Sequence, residues 1–201
     1  MSFNIETFSG GGRPFVKNTD TSLLELTNGK LFHVLDEQVP NNILELLTNK
    51  IDYLNDNVPP DAFFDSIPGI IVSYNPKQPA MYRRWNLQQA PDYTQWVDPE
   101  FQILNDYLLQ FASNIFDFRC VISSPYSEVP WHARHFTPRI HFPLQAENVY
   151  FDFMDENEKV TTVKLLPGKL YSLNVCYTHR IRNTGSMIRK QAFFECDRVL
   201  C

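Results

Sequence analysis

Glycine is scarce, with 7 in 201 residues, so tight turns must rely on Asn, Asp and Pro. Cysteine is scarce too. Cys120, Cys176, Cys196 and Cys201 show no C-x-x-C spacing, which excludes a disulfide-stapled secreted scaffold and leaves reduced thiols. Positive charge is in deficit: 18 Lys and Arg stand against 23 Asp and Glu, for a net charge of −5. Such a field repels phosphate backbones and anionic membrane surfaces, so no nucleic-acid or membrane partner is expected. No apolar run reaches the roughly 18 to 20 residues that cross a bilayer. The start Met1-Ser2-Phe3-Asn4-Ile5-Glu6 lacks a basic region followed by an apolar one, and a cytoplasmic protein is the expectation. G-x-S-x-G, G-x-x-x-x-G-K and G-x-G-x-x-G are also absent, which removes the usual support for hydrolase and nucleotide-binding readings.

What the chain has is aromatic residues and breaks. Sixteen Phe, nine Tyr and three Trp accompany 14 Pro, a composition that favours many short strands. Hydrophobic residues at 43% and charged residues at 20% are ordinary for a globular domain. Gly10-Gly11-Gly12 marks residues 1–30 as a flexible lead-in, and 31–201 reads as one domain.

After Pro40, Ile43, Leu47, Ile51 and Leu54 recur at helical offsets, and Pro59-Pro60 ends the pattern. A second helix opens with Asp98 as cap, Pro99 at the first helical position and Glu100 in the first turn. Its stripe runs through Phe101, Leu104, Leu108, Phe111 and Ile115. Both stripes read as core-packing faces. From residue 118 the period changes to two, with runs near 119–123, 138–144, 148–153, 159–165, 170–177 and 187–196. Asp155-Glu156-Asn157-Glu158, Pro167-Gly168 and Asn183-Thr184-Gly185 separate them as turns. A further strand is expected at Gly69–Tyr74 and a long loop from Asn75 to Trp96, with Tyr82, Arg83, Arg84 and Trp85 available for substrate contacts. The expected fold is α+β and mainly β, a jelly roll or barrel behind two N-terminal helices, with its core mainly at 118–196 and a ligand in its mouth.

Four of the five histidines, His132, His135, His141 and His179, fall in this half. Strand parity puts Arg139 and His141 on one face and Ile140 and Phe142 on the other. A symmetric hairpin about Thr184 would set His179 opposite Arg189. Neutral imidazoles suit Fe(II), and guanidinium grips carboxylate, so the cluster makes a plausible pocket for a divalent metal with a carboxylate. The plain alternative is a hydrogen-bonded polar network. Cys176 and His179 form a Cys-x-x-His, but zinc sites usually bring closely paired ligands on both sides, and the thiols read as small core residues.

Ser124-Pro125 running to Trp131-His132, then Arg139-Ile140-His141, Pro167-Gly168-Lys169, His179, Asn183 and Arg189, form an ordered set. That set resembles the aspartyl/asparaginyl β-hydroxylase branch of the Fe(II)- and 2-oxoglutarate-dependent oxygenases, over residues 118–196. The resemblance implies a cupin-like double-stranded β-helix in which His132 and His179 bind iron. It also implies that Arg189 pairs with the distal carboxylate of 2-oxoglutarate, supported by Arg139 and His141. The implied activity is hydroxylation, with O2, of an amino-acid or polypeptide side chain while 2-oxoglutarate is decarboxylated to succinate. Most members of the wider superfamily place an acid two residues after the first His, and the mammalian-type branch a small residue with water, where this chain has Arg134. A unit positive charge 4 Å from a dication is opposed by roughly 8 kcal/mol at an effective dielectric of 20. Either Arg134 points away, or the protein is a non-catalytic jelly roll that binds the ligand and has lost the iron. As substitute acids, Glu128 lies about 13 Å from His132 along an extended strand, and Asp152 stays open; His135 has the wrong strand parity.

Overall fold

The structure, a computed structural model, describes residues 31–60, 71–74, 77, 80–89, 95–132, 138–155, 157–175 and 177–200. The lead-in at 1–30, Gly69 and Ile70, and the site candidates Arg134 and His135 lie outside the described residues, as do Cys176 and Cys201.

Among the described residues, thirteen strands, β1 (Phe32–Asp36), β2 (Val72–Ser73), β3 (Tyr82–Asn86), β4 (Gln88–Gln89), β5 (Gln95–Trp96), β6 (Ala112–Ser123), β7 (Ser127–His132), β8 (Arg139–Gln145), β9 (Val149–Met154), β10 (Val160–Leu165), β11 (Leu170–Leu173), β12 (Thr178–Asn183) and β13 (Arg189–Val199), accompany two α-helices, α1 (Asn41–Asn57) and α2 (Gln102–Leu108). A major sheet runs β1-β11-β8-β13-β6-β3 and a minor sheet β10-β9-β12-β7-β2, while β4 and β5 pair alone. All pairings are antiparallel. From β6 onward, successive strands are shared between the two sheets so that β6, β13, β8 and β11 face β7, β12, β9 and β10. This is a double-stranded β-helix, the jelly-roll fold expected.

The major sheet has two differently used faces. Outward, Ile140, Phe142, Cys120, Ile122, Ala192 and Phe194 pack against Ile43, Leu47, Ile51 and Leu54 of α1 and Leu104 and Leu108 of α2. Each Leu, Ile or Phe among them withdrawn from water contributes about 1.5–3 kcal/mol before entropy is counted. Inward, Tyr171 and Leu173 join Val149, Phe151, Phe153, Val163 and Leu165 in a smaller cluster between the sheets.

Helix α1 follows its apolar stripe to Asn57, where the Val58 N–H bonds Leu54 O and the backbone turns extended. The second helix departs from expectation. Asp98 does cap, accepting from the Glu100 N–H, but what it caps is a 3-10 turn, Pro99–Phe101, that leads into α2; α2 then stops at Leu108, Phe111 lies in a turn and Ile115 is in β6. Pairing with β13, where Cys196 lies opposite Ile115 and Val199 opposite Ala112, overrides a stripe that reads equally well as helix. Left-handed Asn114 and Asp117, with φ of 48° and 55°, let the strand bend at its start. The expected 75–96 loop contains β3, a major-sheet strand missed because Tyr-Arg-Arg-Trp-Asn does not alternate apolar with polar. Three turn predictions hold: Asp155 Oδ1 accepts from Asn157 and Lys159 N–H groups, Gly168 adopts φ 81°, and Gly185 N–H bonds Asn183 Oδ1.

Candidate functional site

The Asn183–Gly185 turn is not a hairpin within one sheet. It carries the chain from the minor to the major sheet, so His179 and Arg189 are not cross-strand neighbours. The residue opposite His179 is His132. Their rings lie 4.2 Å apart between centroids. His132 reaches this position because β7 carries an extra residue: Ile181 pairs with Val129, yet His179 pairs with His132. Pro130 stands in that irregularity, where the ladder asks for no N–H.

The bulge also decides the fate of two candidate acids. By simple parity Glu128 and His132 would share a face, but the extra residue turns His132 inward while Glu128 stays outside with Arg180, 3.5 Å away. Asp152 is likewise on the outer face. Fully buried, it accepts from Thr162 Oγ1 at 2.8 Å, Arg180 Nε at 2.7 Å and Arg182 Nε at 2.6 Å. Burial alone would raise its carboxyl, but the bonds from Arg182, Thr162 and Arg180 outweigh that and hold it below the ordinary aspartate range. Asp152 is therefore a structural acid. Among the described residues no group of three His, Cys, Asp or Glu converges as a metal set.

The two imidazoles nevertheless share one orientation. His132 Nδ1 lies 2.7 Å from Pro130 O, and His179 Nδ1 lies 2.8 Å from Tyr177 O. A carbonyl only accepts, so each Nδ1 carries a proton, and in the neutral ring the lone pair is then on Nε2, the state in which imidazole binds a metal. Phe151 stacks on His179 at 4.9 Å and meets His141 edge-on at 5.8 Å, linking the two sheets across the interior.

On the major-sheet side, Arg189 opens β13 opposite Ser123 and is 2% exposed. Its Nε is buried without a hydrogen-bond partner. Burial pulls its guanidinium below the ordinary arginine value, opposed by nearby Tyr82. A buried guanidinium that meets no acid among the described residues costs several kcal/mol and calls for an anion. His141, also 2% exposed, leaves Nε2 buried without a partner. Arg139 and His141 do share the inner face, as parity predicts, and flank Phe193, with Arg139 at 4.7 Å from its ring and His141 stacked at 5.4 Å. Arg139 is already paired, however: its Nη2 donates to Glu195 Oε1 at 2.7 Å, and only Nε is left without a partner. Phe151, Gln191 and Phe193 were not anticipated. Gln191 and Phe193 follow Arg189 at i+2 and i+4, so parity was the signal available.

No protein-family model and no curated protein matches the sequence. Solved structures do share its architecture. A Pseudomonas putida prolyl-4-hydroxylase superposes with a TM-score of 0.55 at 11% identity, covering 88% of this chain and 98% of that one. The non-heme α-ketoglutarate-dependent carbocyclase SnoK of nogalamycin biosynthesis gives 0.58 at 8% identity, over 93% and 87%. HygX from Streptomyces hygroscopicus, solved with nickel, 2-oxoglutarate and hygromycin B, gives 0.54 at 11% identity, over 91% and 88%. The likeness is one of fold, shared with 2-oxoglutarate oxygenases at large and not with the aspartyl/asparaginyl β-hydroxylase branch in particular. No helix among the described residues is long and apolar enough to cross a membrane.

Proposed function

We propose that the protein is an Fe(II)- and 2-oxoglutarate-dependent oxygenase that hydroxylates an amino-acid or polypeptide side chain. The observation that carries this reading is the pairing of His132 with His179, each Nδ1 tied to a carbonyl, in the same interior as the buried Arg189. Two neutral imidazoles fit one edge of a divalent metal and leave positions for exogenous ligands. When bound, the metal with 2-oxoglutarate and O2 would supply the oxidising power, giving succinate, CO2 and a hydroxylated C–H position.

The remaining work falls to this chain's side chains. Arg189 takes the distal carboxylate of 2-oxoglutarate through a charge-assisted contact. His141 lends a neutral N–H beside it. Arg139, anchored by Glu195, braces Phe193 against His141 and keeps Nε for the cosubstrate. Phe151 and Phe193 exclude water around the imidazoles.

A second reading is a jelly roll that binds a dicarboxylate without iron, favoured by Arg134 two residues after His132 and by a metal set of two among the described residues. Anaerobic titration of metal-free protein with Fe(II) and 2-oxoglutarate separates the two. The oxygenase gives a visible charge-transfer band that needs both additions and is lost in His179→Ala. Saturable 2-oxoglutarate binding with no band selects the second reading, and no binding at all removes both.

A further inference from the structure

Three buried polar atoms on one patch of the inner face have no hydrogen-bond partner: Arg189 Nε, His141 Nε2 and Gln191 Oε1. Gln191 is 1% exposed. Its position follows from β13, where Gln191 lies between Arg189 and Phe193 on the same face, with Phe193 opposite His141. The Gln191 amide nitrogen lies directly against His141 Nδ1.

That contact has a definite polarity. An amide N–H only donates, so the facing Nδ1 must accept, and the one proton of a neutral ring then sits on Nε2. The ring is neutral because burial, and after it the charge of Arg189, pushes its imidazole down to about 3. This is the opposite tautomer to His132 and His179, whose Nδ1 atoms face carbonyls. One interior thus holds imidazoles in two tautomers: lone pairs at Nε2 on the minor sheet, an N–H at Nε2 on the major sheet. The first suits a cation and the second an anion.

We infer that Gln191 is a positioning residue that locks His141 as the Nε2–H tautomer, so that a neutral N–H beside Arg189 completes a pocket for the 2-oxoglutarate carboxylate. The inference rests on the oxygenase reading for the identity of that anion. In the other tautomer a lone pair would face the carboxylate and repel it. A protonated ring would add a second buried cation next to Arg189. Gln191 removes the first alternative, and the dry surroundings with Arg189 remove the second.

The test uses metal-free full-length protein carrying 15N-labelled histidine. Direct titration of the wild type with 2-oxoglutarate comes first: failure to bind removes the oxygenase reading and this inference with it. Long-range 1H–15N correlations then report the His141 tautomer. An Nε2–H ring between pH 6 and 8 is expected, and an Nδ1–H ring in protein that binds 2-oxoglutarate overturns the inference alone. Gln191→Met keeps the length and removes the donor. It should blend the two tautomers and weaken 2-oxoglutarate binding about tenfold or more. Gln191→Glu, whose carboxylate accepts from Nδ1–H, should invert the tautomer and weaken binding further by occupying Arg189. Wild-type affinity in folded Gln191→Met would overturn the inference even if its tautomer changed.

Discussion

At the scale of single residues, the inner face holds two arginines in different electrostatic situations. Arg139 has its acid, Glu195, on the next strand. Arg189 has no acid partner among the described residues. A buried ion pair stripped of one member leaves a desolvated charge, so Glu195→Met should destabilise the fold by about 3 kcal/mol. Replacing both partners, Arg139→Met with Glu195→Met, should restore most of that loss, because an apolar pair of similar volume is often as stable as the buried ions. Urea unfolding of the two singles and the double closes the cycle, and additive losses would show that the 2.7 Å contact does not couple them. Arg189→Met should behave in the contrary way in metal-free protein, removing 2-oxoglutarate binding with little or no loss of stability.

At the scale of elements, much of this fold could be read from residue patterns, and its departures have local causes. Helix α1 was legible because Ile43, Leu47, Ile51 and Leu54 repeat at helical spacing between two prolines. The end of α2 was not, because Phe111 and Ile115 fit a helix as well as they fit the strand that β13 selects. The facing of His132 and His179 was invisible to parity, since an extra residue at Pro130 inverts it; only the resemblance brought the two histidines together. The same inversion sends Glu128 outward. Asp152 belongs to that outer face, where it ties β9 to β10 through Thr162 and to β12 through Arg180 and Arg182. Asp152→Ala should cost about 2–3 kcal/mol, the arginines being a quarter exposed and partly rescued by water and Glu128. Because its side chain lies behind the sheet that carries His179, Fe(II) affinity at 10 °C, well below unfolding, should remain within about twofold of wild type. A large loss of metal binding in the folded variant would make Asp152 part of the site.

For the whole molecule, the division into an apolar outer core and a polar interior governs how it responds to acid. His141 acts over the higher pH range. Its imidazole lies at about 3 in the native state against 6.5 when free, so between those values the unfolded chain binds a proton that the native chain does not. The sign follows: its contribution to stability is complete above about pH 6.5 and declines as pH falls. From pH 6.5 to 5 the loss from this residue alone is roughly 1.5 kcal/mol. Asp152 acts later and in the same sense. Its carboxyl is held below the free value of 3.8, so its contribution is intact above that value and is lost as pH falls through the native one. Acid should therefore weaken the protein in two stages, first through the inner face alone and, below about pH 3.8, through both faces of the β-helix together. Urea midpoints measured from pH 7 to 3 should show both in the wild type. In His141→Leu the decline above pH 5 should shrink by roughly 1.5 kcal/mol, and only the part of the decline below pH 4 that belongs to Asp152 should remain. Saturating 2-oxoglutarate should also blunt the first stage, because its carboxylate beside His141 would offset the charge of Arg189 and lift the native imidazole towards its free value. A first stage that is unchanged in His141→Leu would place the early acid sensitivity on other histidines and leave His141 without the neutral, buried state on which its donor role depends.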